Sequence, residues 1–418
     1  MLRLFAFTLL FVALAKTPAT AQESVRLSLA GEQTAEARRK AASSTDFYNL
    51  RLGPTAWRFE PGLGLEASDN IRLENAAPQA DVIFRPEIKA HMTCPVSTAN
   101  SINLSLGAGY SAYAQHSEFN RWFVTPGTEL SFDLYAGDFW INFHDRLSVL
   151  ENSYQDPTVV GVADYAQLQN VAGVRPTWAL NKLTVQVGYD HVNYVELSGN
   201  DGGGGGGTDG QSEVFSSALG YAFEGGATTG LELGGSLIHF DASGPNQSFT
   251  DAAEWSVGWF SEAQLSQYIS VRGRIGYTQF LPEPILPGEP ATDFTGLYLQ
   301  IAAAHRLNQY LDYTLSGGRN LNFTFYGGTV DLSAANLALN WRILHKINLT
   351  TSFEFEHGSQ FGSGAETFNR YGPGVSLSRL ITQKLLASLG YRFYNRDSNL
   401  PDRDYVVNIA SVDVRYQF

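Results

Sequence analysis

The sequence predicts an all-β protein, a transmembrane antiparallel up-and-down outer-membrane β-barrel of about 18 strands (16–18). Three observations predict it. The chain is charge-poor and aromatic-rich, with 17% charged and 13% aromatic residues and 41 glycines among 418 residues. Apolar and polar residues alternate with a period of two along most of its length. The connections between alternating segments are short and long by turns. A soluble domain carries about 25% charge, so this composition fits strands facing lipid better than helices around a mixed core. No stretch after the N-terminal segment has 18 consecutive apolar residues, which excludes helical spans.

Residues 1–21 read as a secretory signal peptide. Arg3 supplies the positive start, Leu4 to Ala15 the apolar run, and Ala19-Thr20-Ala21 the small-residue cleavage site, so the mature chain is expected to begin at Gln22. The alternative, a membrane anchor, needs about 20 apolar residues, more than the run provides. Cys94 lies far from the cleavage site, which excludes a lipoprotein signal, and as the single cysteine it forms no internal disulfide. The formal charge is −13, and −15 once Arg3 and Lys16 leave with the signal. That acidity argues against nucleic acid as a partner, which needs a basic footprint. Residues 22–46 are polar and read as a periplasmic leader. Ala35 to Ala42 could form a short surface helix, and a plug or docking element is the other reading. Residues 47–418 are assigned to the barrel.

Within the barrel the alternation is explicit. Leu183, Val185, Val187 and Tyr189 stand on one parity against Thr184, Gln186, Gly188 and Asp190 on the other; Ile347, Leu349, Thr351, Phe353 and Phe355 stand against Asn348, Thr350, Ser352, Glu354 and Glu356. Successive strand side chains point to opposite faces, so each segment has an oily and a polar face. A soluble sandwich would also alternate. Length decides between them: the segments run to about 11–15 residues, where soluble strands average about five or six and a tilted membrane strand needs about 9–11. Eighteen segments are expected, near 55–67, 81–93, 101–114, 121–135, 138–151, 164–179, 182–195, 213–224, 228–240, 250–262, 267–281, 293–306, 309–321, 328–342, 345–357, 367–380, 383–396 and 404–418. Ala136-Gly137 and Leu180-Asn181 are typical of the tight connections, while 69–80, 152–163 and 196–212 are typical of the long ones. Short turns at one end and long loops at the other are the asymmetry of an outer-membrane barrel. The glycine run at 202–207 reads as a flexible exposed loop.

The last strand carries an assembly signal. Val412, Val414, Tyr416 and the terminal Phe418 share one parity, so Phe418 with Tyr416 is expected to be what the barrel assembly machinery reads. Aromatics near segment ends, among them Trp57, Trp122 and Phe123, Phe139 and Trp140, Trp178, Trp259 and Trp341, read as girdles at the two lipid–water interfaces.

No catalytic motif is present: there is no G-x-S-x-G, H-E-x-x-H or P-loop. His144-Asp145 and Asp190-His191 are adjacent pairs whose members face opposite ways, although distant strands could assemble a site. The chain is therefore expected to be no enzyme and to hold no metal or cofactor. Function falls to the inner wall. Placing the polar parity inward puts Arg58, Arg85, Glu87, Arg146, Arg272, Arg274, Glu354, Glu356, Arg392 and Arg415 in the lumen, part of a set of ten basic and ten acidic side chains. These are either cross-strand ion pairs that hold the wall or a transverse field that orients a polar solute, with Tyr113 and Tyr394 as stacking surfaces. Arg272 and Arg274, on one face of one segment, are the best candidates for touching an anion or a sugar acid. The near balance favours neutral or large polar solutes over ions.

Leu63-Gly64-Leu65-Glu66-Ala67-Ser68-Asp69-Asn70-Ile71, Asp81-Val82-Ile83-Phe84-Arg85-Pro86-Glu87-Ile88 and Gln169-Asn170-Val171-Ala172-Gly173 resemble strand motifs of the beta-barrel porin 2 family. The resemblance runs from about residue 47 onward and leaves out the leader and the glycine run. It implies an outer-membrane barrel linked to exopolysaccharide synthesis, and it supplies no catalytic residues. The expected function is thus a conduit for exopolysaccharide export, with outer-membrane lipid, polysaccharide and periplasmic export proteins as partners. A passive diffusion porin for small polar solutes is the alternative, and a structural or adhesin-type surface barrel a third. An export conduit predicts a lumen with no constricting inward loop; a diffusion porin predicts such a loop.

Overall fold

The alternation becomes a continuous hydrogen-bonded wall. In the computed structural model the described residues are 48–150, 153–162, 166–197, 209–241, 251–283, 294–323, 329–344, 346–360 and 365–416. The signal segment, the leader, the glycine run and Phe418 lie outside them. In chain order the strands are β1 (Leu50–Leu52), β2 (Thr55–Ser68), β3 (Asp81–Pro95), β4 (Ser101–Tyr113), β5 (Arg121–Val124), β6 (Thr128–Ala136) and β7 (Phe139–Leu150). Then come β8 (Gln167–Leu180), β9 (Leu183–Glu196), β10 (Gly210–Ala222), β11 (Ala227–Phe240), β12 (Ala252–Ser266), β13 (Ile269–Pro282) and β14 (Phe294–Arg306). The last six are β15 (Leu311–Phe323), β16 (Thr329–Leu344), β17 (Ile347–Gln360), β18 (Thr367–Leu380), β19 (Leu385–Ser398) and β20 (Tyr405–Tyr416).

Each strand pairs antiparallel with its neighbours, and β20 closes on β2 from Gly62↔Arg415 to Ser68↔Ile409. The 20 segments fill 18 wall positions, for two reasons. The three-residue β1 shares with β20 the edge of β2, pairing only with its start, Leu52↔Thr55 to Leu50↔Trp57. β5 and β6 both pair with β4 and make one interrupted strand. The interruption at residues 125–127 lies inside a segment the sequence reads as continuous. Following the register once around the wall returns to β2 about 22 residues along. With about 3.3 Å per residue and about 4.8 Å between strands, that offset tilts the strands by about 40° and gives a backbone diameter of roughly 36 Å. Two of the tight turns read from sequence place Gly137 (φ 64°) and Asn181 (φ 53°) in the left-handed region that two-residue hairpins favour.

The outer face is apolar. Leu231, Leu233 and Leu237 on β11 are 50, 56 and 59% exposed, and Leu297, Leu299 and Ile301 on β14 are 61, 48 and 54% exposed. Large apolar patches of this kind have no place on a soluble monomer, and a ring of them on a closed barrel is a lipid-facing belt. At the long-loop end the inner face also turns apolar: Val171, Val192 and Val214 form one buried cluster, and Val330, Leu332 and Phe368 another. This departs from the polar inner wall that the sequence predicts throughout. There the inner face packs like a dry core, so period-two polarity fades.

Candidate functional site

The charges predicted to line the lumen sit on the inner face, most of them beside an opposite charge. Arg58 meets Glu60 at 2.8 Å, Arg85 meets Glu66 at 3.1 Å and Arg146 meets Glu129 at 3.5 Å. Glu87 lies between Lys89 at 3.6 Å and Arg415 at 3.0 Å. Arg274 meets Glu232 at 2.7 Å and donates to Gln300 Oε1 at 3.1 Å. Glu356 pairs with the buried Arg370, and Glu354 accepts from the Tyr394 hydroxyl at 3.4 Å. Arg392 lies over the Tyr394 ring, 6.0 Å from its centre. Arg272 is exposed and stands opposite Glu262 in the β12–β13 register. Tyr416 pairs opposite Leu385.

Several bridges span more than one strand, and glycine makes that possible. His144 on β7, Gly173 on β8 and Asp190 on β9 occupy one row of the register, and His144 Nε2 reaches Asp190 Oδ1 at 2.7 Å across the glycine. Arg175 completes the cluster, its Nη2 2.9 Å from Asp190 Oδ2. Glu87 crosses Gly62 in the same way to reach Arg415. The longest row is Glu232, Gly258, Gly276 and Tyr298, on β11 to β14. The hydroxyl end of the Tyr298 ring lies over both glycines, and the hydroxyl donates to Glu232 Oε1 at 2.8 Å. A Cβ at Gly258 would overlap that hydroxyl.

The loop between β7 and β8 folds inside the barrel. Residues 153–155 form a 3₁₀ turn, and Ser153, Pro157, Thr158, Val159 and Val160 are buried. Three arginines hold the loop from the far side, two on strands and one in the β19–β20 connection. Arg370 Nη1 on β18 donates to the Tyr154 carbonyl at 2.6 Å, and Arg396 Nε on β19 donates to the Pro157 carbonyl at 3.0 Å. Arg403 Nη2 donates to the Thr158 carbonyl at 3.4 Å. Arg396 is itself fixed by Glu366 at 2.8 Å, both side chains wholly buried, and Arg403 reaches the other Glu366 oxygen at 3.1 Å. The Tyr154 ring stacks 6.1 Å from Tyr394, and Val160 packs with Leu73, Tyr394, Tyr405, Val407 and Ile409. Burial pushes the carboxyl of Asp156 up, although Thr158 donates both its amide (2.8 Å) and its hydroxyl (2.7 Å) to it. The loop thus leaves the wall at β7 and β8 and docks on β18 to β20, cutting a chord through the lumen.

Some expectations change. Tyr113 and Tyr394 are 9 and 2% exposed and packed among other side chains, so they offer no stacking face to a solute. Phe123 and Trp140 do not belong to the lipid girdles. Phe123 is buried over Gly109, and the Trp140 indole donates to Asp133 on the inner face at 3.2 Å. Period two forbids both members of Trp122-Phe123 or Phe139-Trp140 from facing lipid. The loop anchors Glu366, Arg396 and Arg403 are absent from the residues the sequence singles out. Arg396 shares parity with Arg392 and Tyr394, which is the available signal, but it sits where the predicted segment ends. Among the described residues no three metal-ligating side chains come together.

No family model matches the chain, and no curated protein matches it either. Solved structures do. Pseudomonas aeruginosa OccK2 (OpdF) matches with a TM-score of 0.51 and 9% identity over 87% of this chain and 98% of that one. A BenF-like porin from Pseudomonas fluorescens Pf-5 matches with a TM-score of 0.51 and 7% identity over 87% and 99%. Pseudomonas aeruginosa OccK5 (OpdH) matches with 0.51 and 10% identity over 88% and 99%. At these identities the likeness establishes the fold, that of an outer-membrane porin barrel, and leaves the beta-barrel porin 2 resemblance and its exopolysaccharide link without support.

Proposed function

We propose that this protein is a passive channel of the bacterial outer membrane for small polar solutes. The loop of residues 153–162 carries the reading. It lies inside the barrel and is held on three carbonyls by arginines of β18, β19 and the β19–β20 connection. A conduit for a polymer needs a clear bore along its whole length, whereas a diffusion channel is served by a fixed constriction that sets a size limit. The porin fold and the apolar outer belt support the same reading. In this reading the protein crosses the inner membrane by a cleaved signal peptide, and outer-membrane lipid and the barrel assembly machinery are its partners.

The test is conductance of the purified protein in planar bilayers, with the bore sized by neutral polymers. The expected result is stable ion conductance that only small polyethylene glycols enter. Deleting residues 153–162 should raise the conductance about twofold, in proportion to the cross-section the loop occupies. Entry of large dextrans into the intact channel would favour exopolysaccharide export. Absence of any conductance would favour a structural or adhesin-type barrel.

A further inference from the structure

We infer that the short-turn rim of β16 to β19 binds an anionic glycerophospholipid of the inner leaflet, with Lys346, Arg379 and Lys384 on its phosphates. The inference is independent of the channel reading. It rests on the barrel and its orientation, short turns to the periplasm.

Charge is spread unevenly over the short-turn rim. Residues 332–353 and 367–396 contain no aspartate or glutamate, and they supply both short turns of this sector. Lys346 lies in the β16–β17 turn and Lys384 in the β18–β19 turn, both exposed. Arg379, near the end of β18, is also exposed and stands opposite Ile347 and Ala387. It shares parity with Val375 and Leu377, 42 and 41% exposed, so it faces the lipid side of the wall. Neither Lys346 nor Arg379 has an ion-pair partner among the described residues. The other charged short turns differ. The β6–β7 turn carries Asp138, Lys182 is bridged to Glu224 at 2.7 Å, and Arg306 stands opposite Asp312. At the long-loop end the lipid-facing parity closes on Asp145, Glu213 and Asp251 and on the Arg319–Asp331 pair.

Depth places these cations at the headgroups. On β18 the lipid-facing parity runs from Asn369, bonded to His357 at 2.9 Å, to Arg379. That ten-residue step, at about 3.3 Å per residue and a tilt of about 40°, rises about 25 Å, the height of the apolar band. Lys346 leads into β17 and Lys384 into β19, two strand spacings or about 10 Å apart, with Arg379 on the strand between. The Leu380 amide donates to the Lys346 carbonyl at 3.2 Å and holds that turn against β18. An arginine fork takes two phosphate oxygens, and lysines add point charge. Ala387 leaves room beside the guanidinium, and the exposed Leu377 and Leu389, paired across β18 and β19, lie above it as an acyl-chain surface. Trp341, 47% exposed on the same face of β16, offers an indole donor at the same rim. A zwitterionic lipid would bring its own ammonium among three cations, so charge complementarity selects an anionic one.

The test is native mass spectrometry of the full-length mature protein in detergent, offered equimolar diphosphatidylglycerol and phosphatidylethanolamine with matched acyl chains. Each lysine or arginine near an anionic surface contributes about fivefold, so retention of diphosphatidylglycerol should exceed that of phosphatidylethanolamine by about tenfold or more. Lys346→Gln, Arg379→Gln and Lys384→Gln together should bring the two lipids within about twofold. Arg379→Gln alone, at an exposed side chain, should lower the preference about threefold or more and serves if the triple variant does not assemble. Arg51→Gln with Lys182→Gln, which removes cations elsewhere on the protein, should leave the preference unchanged. Equal retention of the two lipids by the native chain would overturn the inference. A preference that survives the triple variant, or one that the Arg51 and Lys182 changes abolish, would overturn its assignment to this sector. Retention of lipid A above diphosphatidylglycerol would overturn the inner-leaflet source. Conductance is expected to be the same in every variant, so none of these results bears on the channel reading.

Discussion

Replacing Gly258 by alanine should expel Tyr298 from the inner wall, and the size of the effect follows from the row it closes. Tyr298 and Glu232 are three strand spacings apart, about 14 Å at about 4.8 Å each. The tyrosine ring, the glutamate chain and a 2.8 Å hydrogen bond fill that span only if the two intervening residues have no side chain, and both are glycine. A Cβ at Gly258 would lie 2.8 Å from Tyr298 Cζ and overlap the hydroxyl, and one at Gly276 would overlap the same ring end. Tyr298 is 2% exposed, so moving it forfeits packing as well as a hydrogen bond to a carboxylate. A hydrogen bond to a charged group contributes about 1.5–3 kcal/mol and overpacking costs about 1–3 kcal/mol, so Gly258→Ala should destabilise the barrel by about 2–4 kcal/mol. Tyr298→Phe leaves Glu232 its partner Arg274 and should cost about 1 kcal/mol. The assay is reversible urea unfolding in lipid vesicles followed by tryptophan fluorescence. In a Tyr298→Ala background the same glycine substitution should cost less than about 0.5 kcal/mol, because the clash is gone. An equal cost in both backgrounds would refute the row.

Four further outcomes are expected. Phe353→Arg, on the lipid face and 45% exposed, should cost about 2–4 kcal/mol near the midplane, while Ser352→Arg on the inner face should cost less than half as much by the same unfolding assay. Arg396→Met leaves the buried Glu366 with Arg403 and the Ser398 hydroxyl and should destabilise the loop anchor by about 3 kcal/mol, seen as added open-channel noise that Glu366→Gln in the same chain partly relieves. Because burial raises the Asp156 carboxyl above its unfolded value, docking of the loop is strongest with that group protonated and weakens as pH rises from about 4 through the raised value; Asp156→Asn should remove that dependence from the noise spectrum. Removing Phe418 should lower the yield of folded barrel on heat-modifiability gels, and unchanged yield would discount the terminal aromatic as an assembly signal.

Much of the wall is legible in the sequence because period two is a local property. Each of the eighteen expected segments has its counterpart in the wall, and the left-handed turns at Gly137 and Asn181 fall where short connections are read. What is not legible depends on partners far away in the chain. The break at residues 125–127 sits where Thr125 and Thr128 crowd Gly107, with Thr128 Oγ1 accepting from the Gly107 amide at 3.0 Å; the turn-forming pair Pro126-Gly127, with Gly127 at φ 93°, is its local sign, which a reading by alternation alone passes over. Residue type alone puts Phe123 and Trp140 in the girdles, whereas parity excludes them from the lipid face. The apolar inner ring, with Val192 and Val330 wholly buried, breaks the rule that inward means polar, because there the inner face packs into closed apolar clusters. The loop anchor joins Pro157 to Arg396 across 239 residues, a pairing that only the closed register brings about.

The glycine rows have a consequence for the lumen. Glycine weakens a strand, yet it occupies the middle of the His144–Asp190, Glu87–Arg415 and Glu232–Tyr298 rows. Its absence of a side chain is what lets an acid on one strand reach a donor two or three strands away, so lateral ties run across the direction in which a tilted wall would shear. The same ties occupy the charges. A carboxylate held between a glycine and an arginine has few free lone pairs for a passing ion, and its field is cancelled within a few ångströms by its partner. Charge tied in these rows therefore acts mainly on the wall, and in the channel reading discrimination among solutes falls to the loop that narrows the passage. A strongly ion-selective reversal potential would contradict that division of labour, since it requires fixed charge that the rows leave uncancelled.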